Sequence, residues 1–298
     1  MFPERPIDLI VPFRQDSASD FVARLIAARL AQTWGQDIAV HNHPREGTAG
    51  GVALAARAPA DGHTLLLGTS TTHCIAPGLD TRLPYDPGAD FQPISLIGWA
   101  PNLLLVPPRG PASVDELLAR AREKPGALGY ASTGAARTSQ FSAALLGALA
   151  GVKFSARPYA RGRGGALQEL MAGKADLMCA NVLAALPHVR AGEVKALAVA
   201  GTLRCSALPA LPTLEEAGVA GYAADLWMGL FAPVRTPMQV VMQIRHELGI
   251  VLGHTDLLGT LDERGFLLDV KPGAEFTAEI ADSQAQWREV IRLCAAAA

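Results

Sequence analysis

Two arginines and a group of hydroxyl side chains are the residues of this sequence whose chemistry suits an anion. Arg14 follows an apolar, strand-like run at residues 7–13. Ser17 or Ser19 is expected to cap a helix whose apolar residues recur with helical period, and Asp20 falls in its first turn, where a carboxylate suits the helix dipole. A strand, a short loop and a helix N-terminus in this order predict unpaired backbone N–H groups, which bind ligands in open α/β sheets.

The same order recurs around the second arginine. Residues 128–131 are predicted to form a strand that opens into a polar loop carrying Arg137, and a helix follows the loop. A guanidinium offers a planar, bidentate match to a carboxylate, so Arg14 and Arg137 together could clamp a dianion. The alternative is that the two arginines only fill space, or that they pair with Asp16 or Asp20 and close the site.

Polar side chains also follow two further predicted strands, at residues 63–68 and 176–180. Caps and turns explain most hydroxyls at such positions, so each candidate has a structural alternative. Asp20 could bind an ammonium group or order a water, or it could only compensate the helix dipole. His73 is interpreted as a loop histidine and Trp227 as a core aromatic. The candidate hydroxyls are Ser17, Ser19, Thr69, Ser70, Ser132, Thr133, Thr138 and Ser139, and the candidate amide is Asn181.

The elements that carry these loops alternate between strand and helix. This order predicts an α/β fold with mostly parallel sheets, flanking helices and right-handed crossovers. Ser113, with Glu116 three residues later, has the pattern of a capping box at the start of a helix. The chain is expected to change domain near residue 101 and to return with a strand at residues 227–233. We therefore predict two lobes joined by two strand crossings, with the ligand cleft between them: residues 1–100 with 227–298, and residues 101–226.

Composition and charge are those of a globular protein and argue against several function classes. The 298 residues are 50% hydrophobic and 18% charged, and the formal net charge of −2 offers no field that would recruit nucleic acid. No apolar run approaches the roughly 18 residues of a membrane-spanning helix. The first four residues have neither the charged nor the apolar region of a signal peptide, so none is expected in this chain.

Metal binding and catalysis are not predicted. The sequence has no G-x-S-x-G, H-E-x-x-H or Walker pattern, so we do not expect an enzyme. His41 and His43 lie two positions apart with no third ligand nearby in the sequence. The four cysteines form no C-x-x-C pair and are expected to be buried or incidental thiols, although one disulfide is left open; they are Cys74, Cys179, Cys205 and Cys294.

Short motifs spread over nearly the whole chain carry a resemblance to a known family. The sequence resembles the Bug, or TctC-type, periplasmic solute receptors of tripartite tricarboxylate transporters. No single motif is diagnostic, but their number and their order are. The motifs lie at residues 5–7 and 10–13, 60–70, 83–87 with 90–91, 130–132, 175–178, 186–189, 195–199, 211–213 and 216–218.

The resemblance implies a two-lobed type II periplasmic-binding-protein fold without a cofactor. It also implies a periplasmic protein that captures a small organic acid, usually a carboxylate, by hinge closure and delivers it to membrane permease subunits, with no nucleic acid as partner. The residues predicted to contact the ligand, on the loops that the resemblance indicates, are Phe13, Arg14, Gln15, Asp16, Ser17, Ser19, Asp20, Thr69, Ser70, Ser132, Thr133, Gly134, Arg137, Thr138, Ser139 and Asn181.

The sequence departs from the family's pattern in two ligand loops. Where the family has residues rich in proline and alanine and then Gly-Gly, residues 14–17 read Arg-Gln-Asp-Ser. In the second loop Gly134 is kept, Ala136 replaces a glycine and Arg137 replaces a hydroxyl residue. The lost glycines remove places where the backbone approaches a carboxylate closely. Three alternatives stay open: a sensor co-receptor, a degenerate receptor in which these departures have altered or abolished the usual ligand and, in a different class, a hydrolase or transferase that uses a cleft hydroxyl.

Overall fold

The computed structural model describes residues 2–132, 138–158 and 165–296. Contacts within the chain group it into two units, as follows. Unit 1 comprises the residues up to Trp99, then Trp227–Asp262 and Leu267–Ala285; unit 2 comprises Ala100–Leu226, Glu263–Phe266 and the residues from Gln286 onward. The lobe limits expected from the sequence, which assign every residue after 227 to the first lobe, stay a prediction.

Unit 1 contains a six-stranded sheet with flanking helices. Its strands are β1 (Ile7–Val11), β2 (Ile38–Asn42), β3 (Thr64–Thr69), β4 (Phe91–Trp99), β10 (Trp227–Pro233) and β11 (Leu267–Pro272), in the order β11-β4-β10-β3-β1-β2. Its helices are α1 (Ala18–Trp34), α2 (Ala49–Ala56), α3 (Ala76–Leu79), α8 (Met238–Leu252), α9 (Thr255–Asp262) and the first part of α10 (Gly273–Ala296), with a 3₁₀ turn at Arg45–Thr48 and a π-helical turn at Thr71–Ile75.

Unit 2 contains a five-stranded sheet. Its strands are β5 (Asn102–Val106), β6 (Gly129–Ser132), β7 (Ser155–Pro158), β8 (Leu177–Asn181) and β9 (Lys195–Ala200), in the order β7-β6-β8-β5-β9. Its helices are α4 (Val114–Glu123), α5 (Thr138–Ala150), α6 (Gly165–Met171) and α7 (Val182–Arg190). The predicted α/β architecture, with flanking helices on each sheet, is confirmed.

Parallel pairing is confined to one part of each sheet, and this part is smaller than the sequence predicts. In unit 1, β1 pairs in parallel with β2 and β3, whereas β10 runs antiparallel to β3 and β4. Trp99, where the chain leaves unit 1, pairs with Trp227, where it returns. The chain leaves the sheet at the end of β4 and returns at the same end of the sheet, so β10 must run antiparallel to β4. In unit 2, β5 likewise enters beside Asn181 and runs antiparallel to β8.

The core of unit 1 includes an aromatic cluster behind the ends of β3 and β10. Trp227 is fully buried, as predicted, and its indole Nε1 donates to the Ser283 hydroxyl at 3.0 Å. The His73 ring stacks on Phe231 with ring centroids 4.0 Å apart, and it is fully buried in the π-helical turn. The interpretation of His73 as a loop histidine was therefore wrong, because the β3 loop continues directly into helical turns and brings the ring inward.

The capping box predicted for α4 is confirmed, whereas two strands, β7 and β11, were not predicted. Ser113 caps α4, since its hydroxyl accepts from the Glu116 N–H at 3.1 Å, while the Glu116 carboxylate accepts from the Ala112 N–H at 2.6 Å. Strand β11 was not predicted, because it is an edge strand whose residues are mostly half-buried or exposed and show no apolar alternation. No helix among the described residues has the length and apolar character to cross a bilayer.

The cysteines are all free thiols, so the disulfide left open by the sequence is not formed. Cys74, Cys179 and Cys205 are buried, and Cys294 is half-buried. Burial raises the pKa of the Cys179 thiol to about 12 and that of Cys294 to about 11, which keeps both in the neutral form. The prediction of buried or incidental thiols is confirmed for the first three.

Candidate ligand site

Three parallel strands of unit 1 end side by side, and the predicted contacts of the first lobe follow two of them. Residue Val11 of β1 pairs with Asn42 of β2, and β3 lies on the other side of β1. The chain leaves β1 into the loop that carries Arg14 and leaves β3 into Thr69 and Ser70. This edge is the carboxyl end of the parallel strands, where open α/β sheets bind ligands.

Helix α1 begins at this edge with the cap that the sequence predicts. The Ser17 hydroxyl accepts from the Asp20 N–H at 3.2 Å, so Ser17 is the N-cap and Ser19 lies buried in the first turn. Asp16, directly before the cap, has φ of 60°, a left-handed conformation that only few non-glycine residues adopt. The loop between β1 and α1 is therefore tightly bent.

The Asp20 side chain stabilises this bend from beneath. Its carboxylate is buried and accepts from the Asp16 N–H at 2.9 Å, from Arg24 Nε at 3.1 Å and from Asn42 Nδ2 at 2.9 Å. Burial alone would raise the pKa of Asp20, but the hydrogen bonds from Arg24, Asn42 and the Asp16 N–H outweigh it and lower the pKa below its ordinary value. Asp20 is therefore an ionised anchor of the loop, which goes beyond the dipole compensation expected from the sequence.

Asn42 is a hydrogen-bond partner of the first loop that the sequence did not predict. Its amide Nδ2 also donates to the Phe13 carbonyl at 3.2 Å, and its Oδ1 accepts from Arg24 at 2.9 Å. Asn42 thus ties the end of β2 to the loop and to α1. The only sequence signal is a polar residue at the end of a predicted strand, and the β1–β2 register, which brings Asn42 beside Val11, cannot be deduced from that signal.

Three consecutive residues of the first loop reach the surface. Arg14, Gln15 and Asp16 are exposed, whereas Phe13 is 9% exposed. Among the residues that the structure describes, the Arg14 guanidinium makes no ion pair; Asp20 pairs with Arg24 instead. The alternative that Arg14 closes the site by pairing with Asp16 or Asp20 therefore finds no support in the structure.

The hydroxyls at the end of β3 take part in the fold. The Thr69 hydroxyl accepts from the Thr71 N–H at 3.1 Å, and the Ser70 hydroxyl accepts from the Trp227 N–H at 2.9 Å. Thr69 and Ser70 are both buried. The Thr69 hydroxyl therefore stabilises the turn after β3, and the Ser70 hydroxyl joins this turn to the start of β10. That either residue contacts a ligand stays a prediction.

In unit 2, the carboxyl ends of β6 and β8 carry the predicted contacts Ser132 and Asn181. Ser132 is buried at the end of β6. Asn181 caps α7, since its Oδ1 accepts from the Leu183 N–H at 3.1 Å, and its Nδ2 donates to the Ala100 carbonyl at 2.8 Å. The N-terminus of α7 therefore opens at this edge, which suits an anion.

The register places a second amide at the same edge, and the sequence reasoning missed it. Asn102 pairs with Asn181 across β5 and β8, is 1% exposed, and donates from Nδ2 to the Ser142 hydroxyl at 3.1 Å. Of the remaining predicted contacts, Thr133, Gly134 and Arg137 lie outside the described residues, as do the side chains of Thr138 and Ser139.

The described residues do not assemble a reactive centre at these edges. No group of three histidine, cysteine or carboxylate side chains among them is placed to hold a metal ion. A hydroxyl–imidazole pair does occur, with Thr72 Oγ1 2.8 Å from His73 Nδ1, but both residues are fully buried. Burial also lowers the pKa of His73 to about 3. Because a substrate cannot reach this pair, it offers no nucleophile for hydrolysis.

Comparison with known proteins places nearly the whole chain within one family. Residues 22–294 match the family model TctC, described as the tripartite tricarboxylate transporter family receptor. The UPF0065 protein in the tcbD-tcbE intergenic region of Pseudomonas sp. strain P51 is 35% identical over 294 residues, which cover 97% of this chain and 86% of that protein.

Solved structures show the same fold with small dicarboxylates bound. The R. palustris protein Rpa4515 with adipate is 32% identical, with a TM-score of 0.91 over 99% of this chain and 99% of that one. MatC (Rpa3494) from Rhodopseudomonas palustris with bound malate is 33% identical, with a TM-score of 0.86 over 97% of this chain and 100% of that one. Both similarities cover the chain almost from end to end, including both units.

Proposed function

This chain belongs to the family of tripartite tricarboxylate transporter receptors, and from that membership we propose that it captures a small organic dicarboxylate in the periplasm and delivers it to membrane permease subunits. The observation that carries the proposal is the exposed Arg14 guanidinium, which makes no ion pair with the described residues and lies in the loop before the α1 N-terminus. The similar proteins of R. palustris with adipate and with malate support a dianion as the ligand.

The proposed roles follow from charge and exposure. Arg14 pairs with one carboxylate group of the ligand, in the bidentate geometry that a guanidinium favours. The α1 N-terminus, with Ser17 as its cap, adds positive potential at the same place. Asp20 is buried and positions the loop by accepting a hydrogen bond from the Asp16 N–H, whereas Arg14 is exposed and contacts the ligand. That Arg137 engages the second carboxylate, and that the ligand lies between two lobes, stay predictions.

A thermal-shift screen tests the proposal. A ligand that binds only the folded protein raises its melting temperature, so we expect malate, adipate or a related dicarboxylate to raise it while neutral analogues do not. Arg14→Ala is expected to remove most of the shift. Arg235→Ala is the matched control, because Arg235 is an exposed arginine in unit 1 outside the candidate loops. A shift that persists in Arg14→Ala would remove Arg14 from the site.

The absence of turnover is part of the same proposal. The buried Thr72–His73 pair gives no support to a hydrolase, and the family is one of receptors. A receptor returns its ligand unchanged, whereas a hydrolase or transferase would convert it. A screen without any shift would instead favour a degenerate receptor, in which the departures at residues 14–17 have abolished the usual ligand.

A further inference from the structure

Unit 2 contains a cavity of about 290 Å³ on the α5 side of β6 and β7. One wall is a face of α5 formed by Ala144, Gly147 and Ala148, which lie three and four positions apart. Because these side chains are small, the helix does not fill the space above the strands. Ser132 and Asn181, the predicted carboxylate contacts that the structure describes in unit 2, are not among the residues that line it.

Tyr130 lines this cavity, and its hydroxyl has no hydrogen-bond partner among the described residues. Tyr130 of β6 pairs with Ala156 of β7, and both residues line the cavity. Tyr130 is 7% exposed, and its hydroxyl makes no hydrogen bond with any residue that the structure describes. The Tyr130 hydroxyl is therefore a donor available to a bound molecule.

A thiol also lines the cavity. Cys294, near the end of α10, lines the same cavity, and burial together with the nearby Cys294 and Cys179 thiols raises the pKa of Tyr130. Burial also raises the pKa of Cys294 to about 11. The phenol and the thiol are both neutral at physiological pH, so Cys294 acts here as an apolar contact rather than as a nucleophile.

Among the described lining residues, Lys153 carries the positive charge. Lys153 lines the cavity, is exposed, and forms no ion pair with the part of the chain that the structure describes. The neighbouring Phe154 adds an aromatic wall. The lining thus combines an exposed ammonium group, a phenol donor and the Gln140 amide with small and aromatic apolar side chains.

We propose that this cavity binds a small amphipathic monocarboxylate, with its carboxylate at Lys153 and Tyr130 and its hydrocarbon body against the α5 wall and Phe154. An ammonium and a phenol donor suit one carboxylate group. A second carboxylate on the ligand would lie against an apolar wall and lose its hydration without compensation. The cavity volume is near the lower end of that of ligand pockets, which fits a short alkyl or aryl chain.

Calorimetric titration of the whole protein with octanoate tests this site. Octanoate is expected to bind, and suberate, the dicarboxylate of equal chain length, to bind more weakly. Lys153→Gln, Tyr130→Phe and Ala148→Leu are each expected to weaken octanoate binding by about tenfold or more, through loss of charge, loss of the donor or filling of the space. Lys124→Gln is the matched control, since Lys124 is an exposed lysine of unit 2 that does not line the cavity.

Circular dichroism and the melting temperature verify that each variant folds. If Tyr130→Phe or Ala148→Leu does not fold, Lys153→Gln still tests the site, because it changes an exposed side chain. Failure of octanoate to bind, or equal binding by all three cavity variants and the wild type, would overturn the proposal. Arg14→Ala is expected to leave octanoate binding unchanged. This separates the cavity from the dicarboxylate site, so either proposal can fail without the other.

Discussion

At the scale of single residues, the first candidate loop divides into anchoring and exposed side chains. The side chains of Asp20 and Asn42 form hydrogen bonds with the loop and with Arg24, whereas the Arg14 side chain is exposed to solvent. In this account Asp20 affects ligand binding by positioning the loop. A role of Asp20 in touching a ligand stays a prediction.

The Asp20→Asn variant tests the anchoring role. The substitution removes a buried carboxylate that accepts from Arg24, Asn42 and the Asp16 N–H, and a charge-assisted network of this kind contributes about 2 kcal/mol. We expect urea unfolding at neutral pH to show that loss. Asp37→Asn, at an exposed aspartate of unit 1, is the control and is expected to change stability by no more than about 0.5 kcal/mol.

The pH dependence of the same pair of proteins gives an independent check. Because the pKa of Asp20 is lowered by folding, its contribution is fully present above the carboxyl pKa of the unfolded chain and is lost as the pH falls through the folded-state pKa. The stability difference between wild type and Asp20→Asn should therefore be constant near neutrality and shrink below about pH 4. A difference that grows on acidification would contradict the anchoring role.

Features that depend on neighbours along the chain were predicted, whereas contacts between residues distant in sequence were not. The Ser17 cap, the Ser113 cap and the buried Trp227 follow from residue type and neighbours along the chain, and the structure contains all three. Asn42 and Asn102 could not be found in this way. Their positions depend on strand register, which joins residues distant in sequence and leaves no local pattern.

At the scale of elements, the edge that carries the first loop depends on close packing of α2. Gly51 of α2 is buried, and a methyl group there would lie 2.6 Å from the His43 carbonyl oxygen and 3.0 Å from Pro12 Cα. Those two residues directly follow β2 and β1. The glycine therefore lets the helix approach the backbone that leads into the candidate site.

Gly51→Ala is expected to destabilise the protein by about 1–3 kcal/mol, because the contacted atoms belong to backbone that cannot move without shifting the strand ends. The neighbouring Gly50→Ala is the matched control. Its nearest atoms would be 3.4 Å away, at Arg45, so the added methyl should be neutral or should stabilise the helix by up to about 1 kcal/mol. Denaturant unfolding measures both variants, and equal stabilities would refute the close-packing argument.

Strands could be predicted from the sequence where they are apolar and buried. Strands β1 and β3 are apolar and buried, so their sequence identifies them. Strand β11 lies at the sheet edge and carries Asp269 and Lys271, which form an ion pair at 3.2 Å, so its composition resembles a loop. An edge strand of this kind is specified mainly by its hydrogen bonds to β4, and these are not encoded locally.

At the scale of the whole molecule, two α/β units result from a chain that leaves the first sheet at Trp99 and returns at Trp227. This path explains why β10 lies antiparallel between β4 and β3. Family membership over residues 22–294 places the chain in a family of receptors, and two similar proteins have adipate and malate bound. We expect the ligand to be set by the two loops where the sequence differs from the family's pattern, and for this reason the sequence alone predicts only the ligand's class.

The central claim, reversible capture of a small dicarboxylate, is tested most directly by isothermal titration calorimetry with malate and adipate, followed by chemical recovery of the ligand. We expect saturable binding of one dicarboxylate per chain, with the ligand recovered unchanged and the affinity reduced in Arg14→Ala. Folded protein that releases no heat with any dicarboxylate, or ligand that is recovered in a converted form, would contradict the account.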